Sequence, residues 1–121
     1  MKKTIISITT ILGLSAAIAD ADYNEALAEE VYPVCSTCHN PDMAAAFGAP
    51  AAHNVEQWQA TIEAAQALAQ GDETVDDVFL NSVKNGKGIM VGIPAICEAT
   101  LGRECTDEDY LAAIQYMMHD N

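Results

Sequence analysis

The most informative short motif of this chain is C-x-x-C-H, formed by Cys35, Cys38 and His39. At this spacing two thiols can add to the two vinyl groups of one haem, while the adjacent imidazole reaches the haem iron. The motif therefore predicts one covalently attached haem c. Cys35 and Cys38 are the expected thioether residues, and His39 is the expected axial ligand of the iron.

The same cysteines allow three other interpretations. They fit a thioredoxin-like redox pair, two ligands of a zinc site, or part of a disulfide framework with Cys97 and Cys105. A thioredoxin-like site requires a βαβ context, which the sequence pattern does not offer. A zinc site requires a second close pair of ligands, whereas Cys97 and Cys105 stand eight residues apart. The haem interpretation is favoured, and the other three stay open.

The first residues are typical of a secretory signal peptide. Lys2 and Lys3 precede an apolar stretch over residues 5–18, and the small-residue pattern A-I-A follows at residues 17–19. The stretch is shorter than the roughly 20 residues of a membrane-spanning helix. We therefore expect residues 1–19 to be cleaved after Ala19, with a periplasmic product and no stable membrane insertion. An uncleaved N-terminal anchor is the alternative.

Residues 20–121 are strongly acidic. They contain 3 basic against 18 acidic residues, hence a formal net charge of −15. Such a charge repels nucleic acid and anionic lipid surfaces, and it favours attraction to basic patches on proteins. Nucleic acid is therefore not an expected partner. Because acidic residues also serve simply to solvate a surface, the charge alone identifies no protein partner.

Helical periodicity and capping residues predict one all-α domain over residues 20–121. The segments with these signals are 22–31, stopped by Pro33; 54 to Gly71, capped by Asn54; 74–85, capped by Thr74; and 106 to the C-terminus, capped by Thr106. Gln57 stands three residues after Asn54, as in a capping box. No alternating strand pattern and no repeat of fixed period is found.

The two remaining segments are predicted to be mainly irregular. Residues 40–53 and 87–104 both contain glycine and proline without sustained periodicity, although residues 95–101 are able to form a short helical turn. Connections of this kind often carry functional residues.

These features together resemble class I cytochromes c of the cytochrome c5 type. The resemblance rests on C-S-T-C-H after an N-terminal helix, on the G-A-P that ends at Pro50, and on C-T-D-E from Cys105 leading to A-A-I-Q-Y-M. It spans nearly all of residues 20–121. It implies a small single-domain cytochrome c-like helical fold around a covalently bound haem.

The resemblance also assigns roles position by position. Cys35 and Cys38 hold the haem, His39 is the proximal ligand, and Pro50 lies in the loop that faces it. A carbonyl at Pro50 that accepts from the second imidazole nitrogen would fix the orientation of the ring. From the residues alone, a rigid turn is an equally good role for Pro50. The family's terminal helices cross at an aromatic contact, which here is expected between Tyr32 or Tyr23 and Tyr116.

Met90 is the expected sixth ligand of the iron. It lies in the glycine-flanked loop 87–92, 51 residues after His39, where the backbone can bring a thioether up to the iron. The family pattern has proline directly after the ligand methionine, whereas Val91 follows here. The other candidates are two histidines that would give bis-histidine coordination, His53 and His119, and three methionines, Met43, Met117 and Met118.

Cys97 and Cys105 are expected to form a structural disulfide. They remain as a pair once the other two cysteines are assigned to haem, and an oxidising compartment favours their joining. The resemblance supports a bridge at this place. A redox-active disulfide is the alternative, although acidic neighbours raise rather than lower the pKa of a thiol.

The expected function is one-electron transport. With both His39 and Met90 on the iron no position is open to substrate, so the resemblance implies a mono-haem carrier and not an enzyme. Its expected partners are transient: a donor dehydrogenase or reductase complex and an acceptor oxidase or reductase. The alternatives are a haem enzyme or gas sensor with an open iron site, or a bound electron-transfer subunit of a larger periplasmic oxidoreductase. Lys84 and Lys87 are expected either to frame a docking rim or to stabilise a helix C-terminus.

Overall fold

The part of the chain that the structure describes folds into six α-helices in one small domain. The structure, a computed structural model, describes residues 23–120, and this range contains no β-strand, only an isolated bridge between Lys87 and Met90. The helices in chain order are α1 (Glu25–His39), α2 (Ala44–Phe47), α3 (Val55–Leu68), α4 (Val75–Asn85), α5 (Pro94–Leu101) and α6 (Asp107–Met118). The prediction of an all-α domain is therefore confirmed. The predicted signal peptide, residues 1–19, lies outside the described residues.

The first helix is longer than predicted. It continues through Pro33, so the prediction that this proline stops it is wrong. Proline lacks the backbone N–H that would donate to the carbonyl of Glu29. Pro33 and Glu29 are both exposed, so water can reach that carbonyl. Val31 and Val34 are meanwhile buried on the opposite side. Their packing holds the helix together across the proline, and the last turn of α1 therefore carries C-x-x-C-H.

The pairing of the two terminal helices, α1 and α6, is the most extensive helix contact of the fold. Ala28 and Ala113 are completely buried in the core, and their small side chains suit close helix packing. The rings of Tyr32 and Tyr116 lie with centroids 5.1 Å apart, which confirms the expected aromatic contact. None of the helices within residues 23–120 combines the length and apolarity needed to cross a lipid bilayer.

Local capping chemistry starts the other long helices where the sequence predicts. Asn54 caps α3 by accepting from the amide of Gln57, and Thr74 and Thr106 form full capping boxes on α4 and α6. The buried side chains of α3 meet those of α4 and α6 in one apolar cluster that includes Trp58, Ile62, Ala65, Phe79, Ile114, Met117 and Met118. The segment 40–53, predicted as mainly irregular, contains the one-turn helix α2.

The segment after α4 folds back tightly on the end of that helix. Lys87 and Met90 exchange two backbone hydrogen bonds, of 2.8 and 3.0 Å, and the amide of Ile93 donates to the carbonyl of Val83. Glycine is required at Gly86 and Gly92, because an added Cβ at either would lie 2.8 Å from a backbone oxygen. The loop that carries Met90 is therefore anchored by backbone contacts on both sides.

A disulfide joins Cys97 in α5 to Cys105 before α6, as the sequence predicts. Cys97 is completely buried, and both residues belong to the apolar cluster formed with Val31, Val34 and Tyr110. The bridge closes the turn between the two helices, so it holds the start of α6 against α1.

Arg103, in the same turn, joins the buried carboxylate of Asp109 to α1. Asp109, only 3% exposed, accepts two hydrogen bonds from Arg103 at 2.9 and 3.1 Å and one from the amide of Thr106 at 2.6 Å. Arg103 also lies 3.5 Å from a carboxylate oxygen of Glu30 on α1. The hydrogen bonds from Arg103 lower the pKa of Asp109, while burial acts in the opposite direction.

Replacing Asp109 by asparagine should remove a pH-dependent part of the stability. The pKa of Asp109 in the folded chain lies below its ordinary value of 3.8, so the contribution of the carboxylate is complete above that value. It is lost as the pH falls through the folded pKa. Asp109→Asn should therefore lower the free energy of unfolding by about 1 kcal/mol or more at neutral pH, and by much less at about pH 2. Urea unfolding of both proteins at several pH values measures this, and a constant difference would contradict it.

Candidate functional site

The last turn of α1 presents the C-x-x-C-H residues together. Cys35 and Cys38 are three residues apart in a continuous helix, so their side chains project from neighbouring positions on one face. Neither is in a disulfide, and both are partly exposed. Cys35 packs against the two apolar clusters of the fold. Two thiols and an imidazole are thus available within one helical turn.

A backbone carbonyl fixes the imidazole of His39. The Nδ1 atom of His39 lies 2.8 Å from the carbonyl oxygen of Pro50, the residue that the sequence analysis named as acceptor. Because a carbonyl only accepts, Nδ1 carries the proton, and the lone pair of the neutral ring is on Nε2. Burial lowers the pKa of His39, and the hydrogen bond to Pro50 acts in the opposite direction. The neutral ring presents Nε2 as a metal-ligating atom.

The loop that supplies this carbonyl is itself held by its neighbours. The amide of Ala52 donates to the backbone carbonyl of His39 at 2.8 Å, and two side chains of α3 bond to Ala51. Gln57 accepts from the Ala51 amide at 2.7 Å, and the indole of Trp58 donates to the Ala51 carbonyl at 3.0 Å. From the sequence pattern, Gln57 is predicted only as a capping residue and Trp58 only as part of an apolar face.

Trp58 also packs directly on the imidazole. The two rings are stacked, with centroids 5.7 Å apart and planes 27° from parallel. On its other side Trp58 meets Phe79 of α4 edge to face, with centroids 6.3 Å apart. The imidazole of His39 therefore has an aromatic neighbour that is anchored in the core.

Met90 makes none of the contacts that hold the imidazole of His39. Its backbone is fixed by Lys87, and its side chain is partly exposed between two strongly exposed apolar residues, Ile89 at 70% and Val91 at 61%. None of the hydrogen bonds, aromatic contacts or apolar clusters of residues 23–120 joins Met90 to His39. The role of Met90 as a ligand stays a prediction.

The other candidate iron ligands have different surroundings. Met117 and Met118 are buried in the apolar cluster of α3, α4 and α6, as expected of core residues, while Met43 is 44% exposed. The Nδ1 atom of His53 lies 2.9 Å from the carbonyl oxygen of His119, and the ring of His53 meets Tyr116 edge to face. The ring of His119 packs on Tyr23, with centroids 4.9 Å apart. Both histidines thus contribute to the packing around the end of α6.

The structure also bears on the other uses of the cysteines. Cys97 and Cys105 are bonded to each other, so this arrangement provides no second pair of thiol ligands for zinc. In the range 23–120 no group of three or more His, Cys, Asp or Glu side chains is arranged to hold a metal ion. Burial raises the pKa of the Cys35 thiol to about 12, which is opposite to the lowered pKa of a thioredoxin-like nucleophile.

A surface groove of about 510 Å³ lies on another part of the domain, between α4, α5 and α6. Its lining includes Lys84, Glu98, Cys105 and Asp107. Lys84 lies 2.6 Å from the carboxylate of Asp107, so this lysine is paired within the domain. None of the C-x-x-C-H residues lines this groove.

Comparisons with protein-family models, with curated proteins and with solved structures gave no match to this chain.

The raised pKa of Cys35 predicts slow alkylation. In the variant Cys38→Ser without haem and with the Cys97–Cys105 disulfide formed, Cys35 is the free thiol. Its reaction with iodoacetamide at pH 8 should be about tenfold or more slower in the folded chain than in urea, because the thiolate is the reacting species. Mass spectrometry of timed samples measures both rates. A folded-state rate above the rate in urea would support a thioredoxin-like pair instead.

Proposed function

We propose that this protein is a periplasmic mono-haem c-type cytochrome with a cytochrome c-like helical fold, and that it carries one electron at a time. The observation that carries the proposal is the geometry of the last turn of α1. Two free cysteines are placed there beside an imidazole whose Nδ1 is bonded to the carbonyl of Pro50. These are the groups that covalent haem attachment and axial ligation require.

The donor groups present fit haem c. Cys35 and Cys38 would hold it through thioether bonds, and His39 would ligate its iron through Nε2. The hydrogen bond to Pro50 keeps the imidazole in the tautomer that leaves this nitrogen unprotonated, and it raises the basicity of the ring as a ligand. The ring of Trp58 restricts the imidazole from one side. The chain thus orients the imidazole through contacts with its own residues.

Met90 is the proposed second axial ligand. Met117 and Met118 are buried in the core, and His53 is engaged by the His119 carbonyl and the ring of Tyr116. Met90 is in an anchored loop and keeps a partly exposed thioether. When bound, haem would supply an iron that cycles between ferric and ferrous states, and a thioether ligand in addition to histidine would favour the ferrous state.

With His39 and Met90 both on the iron, no position would be open to substrate, so the proposed role is that of a carrier rather than an enzyme. The chain has to exchange electrons through brief contacts with a donor and an acceptor, for which small interfaces suffice. Ile89 and Val91 expose apolar surface beside the proposed ligand, and Lys87 is exposed next to them. Because Lys84 is paired with Asp107, we propose that this apolar tip contributes more to docking than a rim of lysines.

Replacing Met90 by alanine tests the proposed coordination. In the exported protein with haem, Met90→Ala should abolish the weak band at the red edge of the ferric spectrum that arises from sulfur-to-iron charge transfer. It should also lower the reduction potential by roughly 0.1 V or more, because the thioether favours ferrous iron. Absorption spectra and a redox titration measure the two effects.

Met43→Ala is the matched control for this experiment. Met43 is exposed, so its removal should leave both the band and the potential unchanged. A band that survives in Met90→Ala would exclude Met90 as the ligand. The absence of any such band in the unaltered protein would exclude a thioether ligand and leave either bis-histidine coordination or an open position, as in a haem enzyme or gas sensor.

A further inference from the structure

The segment from Pro50 to Ala52 is held on two sides. Toward α1, the carbonyl of Pro50 accepts from His39 and the amide of Ala52 donates to the His39 carbonyl. Toward α3, both backbone polar groups of Ala51 bond to side chains: the amide to Gln57 and the carbonyl to Trp58. The three residues therefore connect the start of α3 to the end of α1 through consecutive hydrogen bonds.

The contact made by Gln57 differs from ordinary helix capping. Gln57 is three residues after the cap Asn54, the position from which a glutamine usually reaches back to the amide of the capping residue. Here the amide of Asn54 donates to the carbonyl of Ala51 instead, at 3.1 Å. The side chain of Gln57 is thereby available for the amide of Ala51, at 2.7 Å. Gln57, whose spacing from Asn54 predicts a capping contact, thus bonds instead to Ala51, six residues upstream.

We infer that Gln57 and Trp58 are positioning residues for His39. The consequence of this inference for an iron bound to His39 rests on the proposed function. Proline has no N–H, so Pro50 cannot be fixed by a hydrogen bond of its own amide. Fixing Ala51 at both its amide and its carbonyl determines where the Pro50 carbonyl points. That carbonyl in turn holds the Nδ1 proton of His39. Trp58 adds a second restraint, because its ring stacks on the imidazole that the loop orients.

Loss of the contact between Gln57 and Ala51 should weaken His39 as an iron ligand. A looser Ala51 lets the Pro50 carbonyl turn away, and the Nδ1 proton of His39 then exchanges with water more often. An imidazole with a weaker Nδ1 hydrogen bond is a less basic ligand and stabilises ferric iron less. The reduction potential of the haem protein should therefore rise, which is opposite in sign to the effect expected for Met90→Ala.

The experiment compares three variants of the exported protein with the unaltered one. Gln57→Ala removes the acceptor, Gln57→Glu keeps an acceptor for the Ala51 amide, and Gln59→Ala removes a neighbouring exposed glutamine of the same helix. NMR measures hydrogen exchange at the Ala51 amide and at the Nδ1 proton of His39, and a redox titration measures the potential. Gln57→Ala should speed both exchange rates about two- to tenfold and raise the potential, while the other two variants stay close to the unaltered protein.

Two results would overturn the inference. The first is faster exchange at Ala51 with no change at the His39 proton, which would leave Gln57 a purely local contact. The second is equal effects of Gln57→Ala and Gln59→Ala. Trp58→Phe, which keeps a stacked ring but lacks the indole N–H, should change the His39 proton in the same direction as Gln57→Ala. If the exported protein carries no haem, the proposed function fails, and the two exchange rates alone decide the positioning inference.

Discussion

The hydrogen bond between His39 and the carbonyl of Pro50 joins the end of α1 to the loop before α3. It fixes which nitrogen of the imidazole carries the proton, and so it decides which nitrogen is available to a metal. The cysteines need only the helix to bring them close together, whereas the imidazole needs a partner from elsewhere in the chain. The orientation of the whole site therefore depends on this contact and on what holds Pro50 in place.

The rest of the fold supports α1 at its C-terminal end and along its length. At its C-terminal end, the loop 50–52 is bonded to α3, whose Trp58 is anchored in the apolar cluster. Along its length, α1 packs on α6, and the ion pair of Arg103 with Glu30 joins the turn before α6 to α1. The disulfide closes the same turn. The packing of α6, the ion pair with Glu30 and the disulfide thus all support the helix that carries C-x-x-C-H.

Helix starts that depend on capping between neighbouring residues were predictable from the sequence, and contacts between distant residues were only partly predictable. Thr74 and Thr106 start helices because each bonds to an aspartate three residues later, a signal that lies within four residues of chain. Pro33 misled the prediction because the packing of distant helices outweighs the loss of one backbone bond. The contact of Gln57 with Ala51 depends on a reversal of the chain that no periodicity reveals. The pairing of His39 with Pro50 came from a family resemblance, and the role of Met90 is still a prediction.

The proposed function requires that Cys35 and Cys38 attach one haem covalently. Intact mass spectrometry of the protein exported from a host with haem-maturation machinery measures this attachment. Covalent attachment predicts a mass equal to residues 20–121 plus one haem, and a mass without haem for the double variant Cys35→Ser, Cys38→Ser. A mass equal to the polypeptide alone, from a host that attaches haem to other exported proteins, would show that the proposed function is wrong.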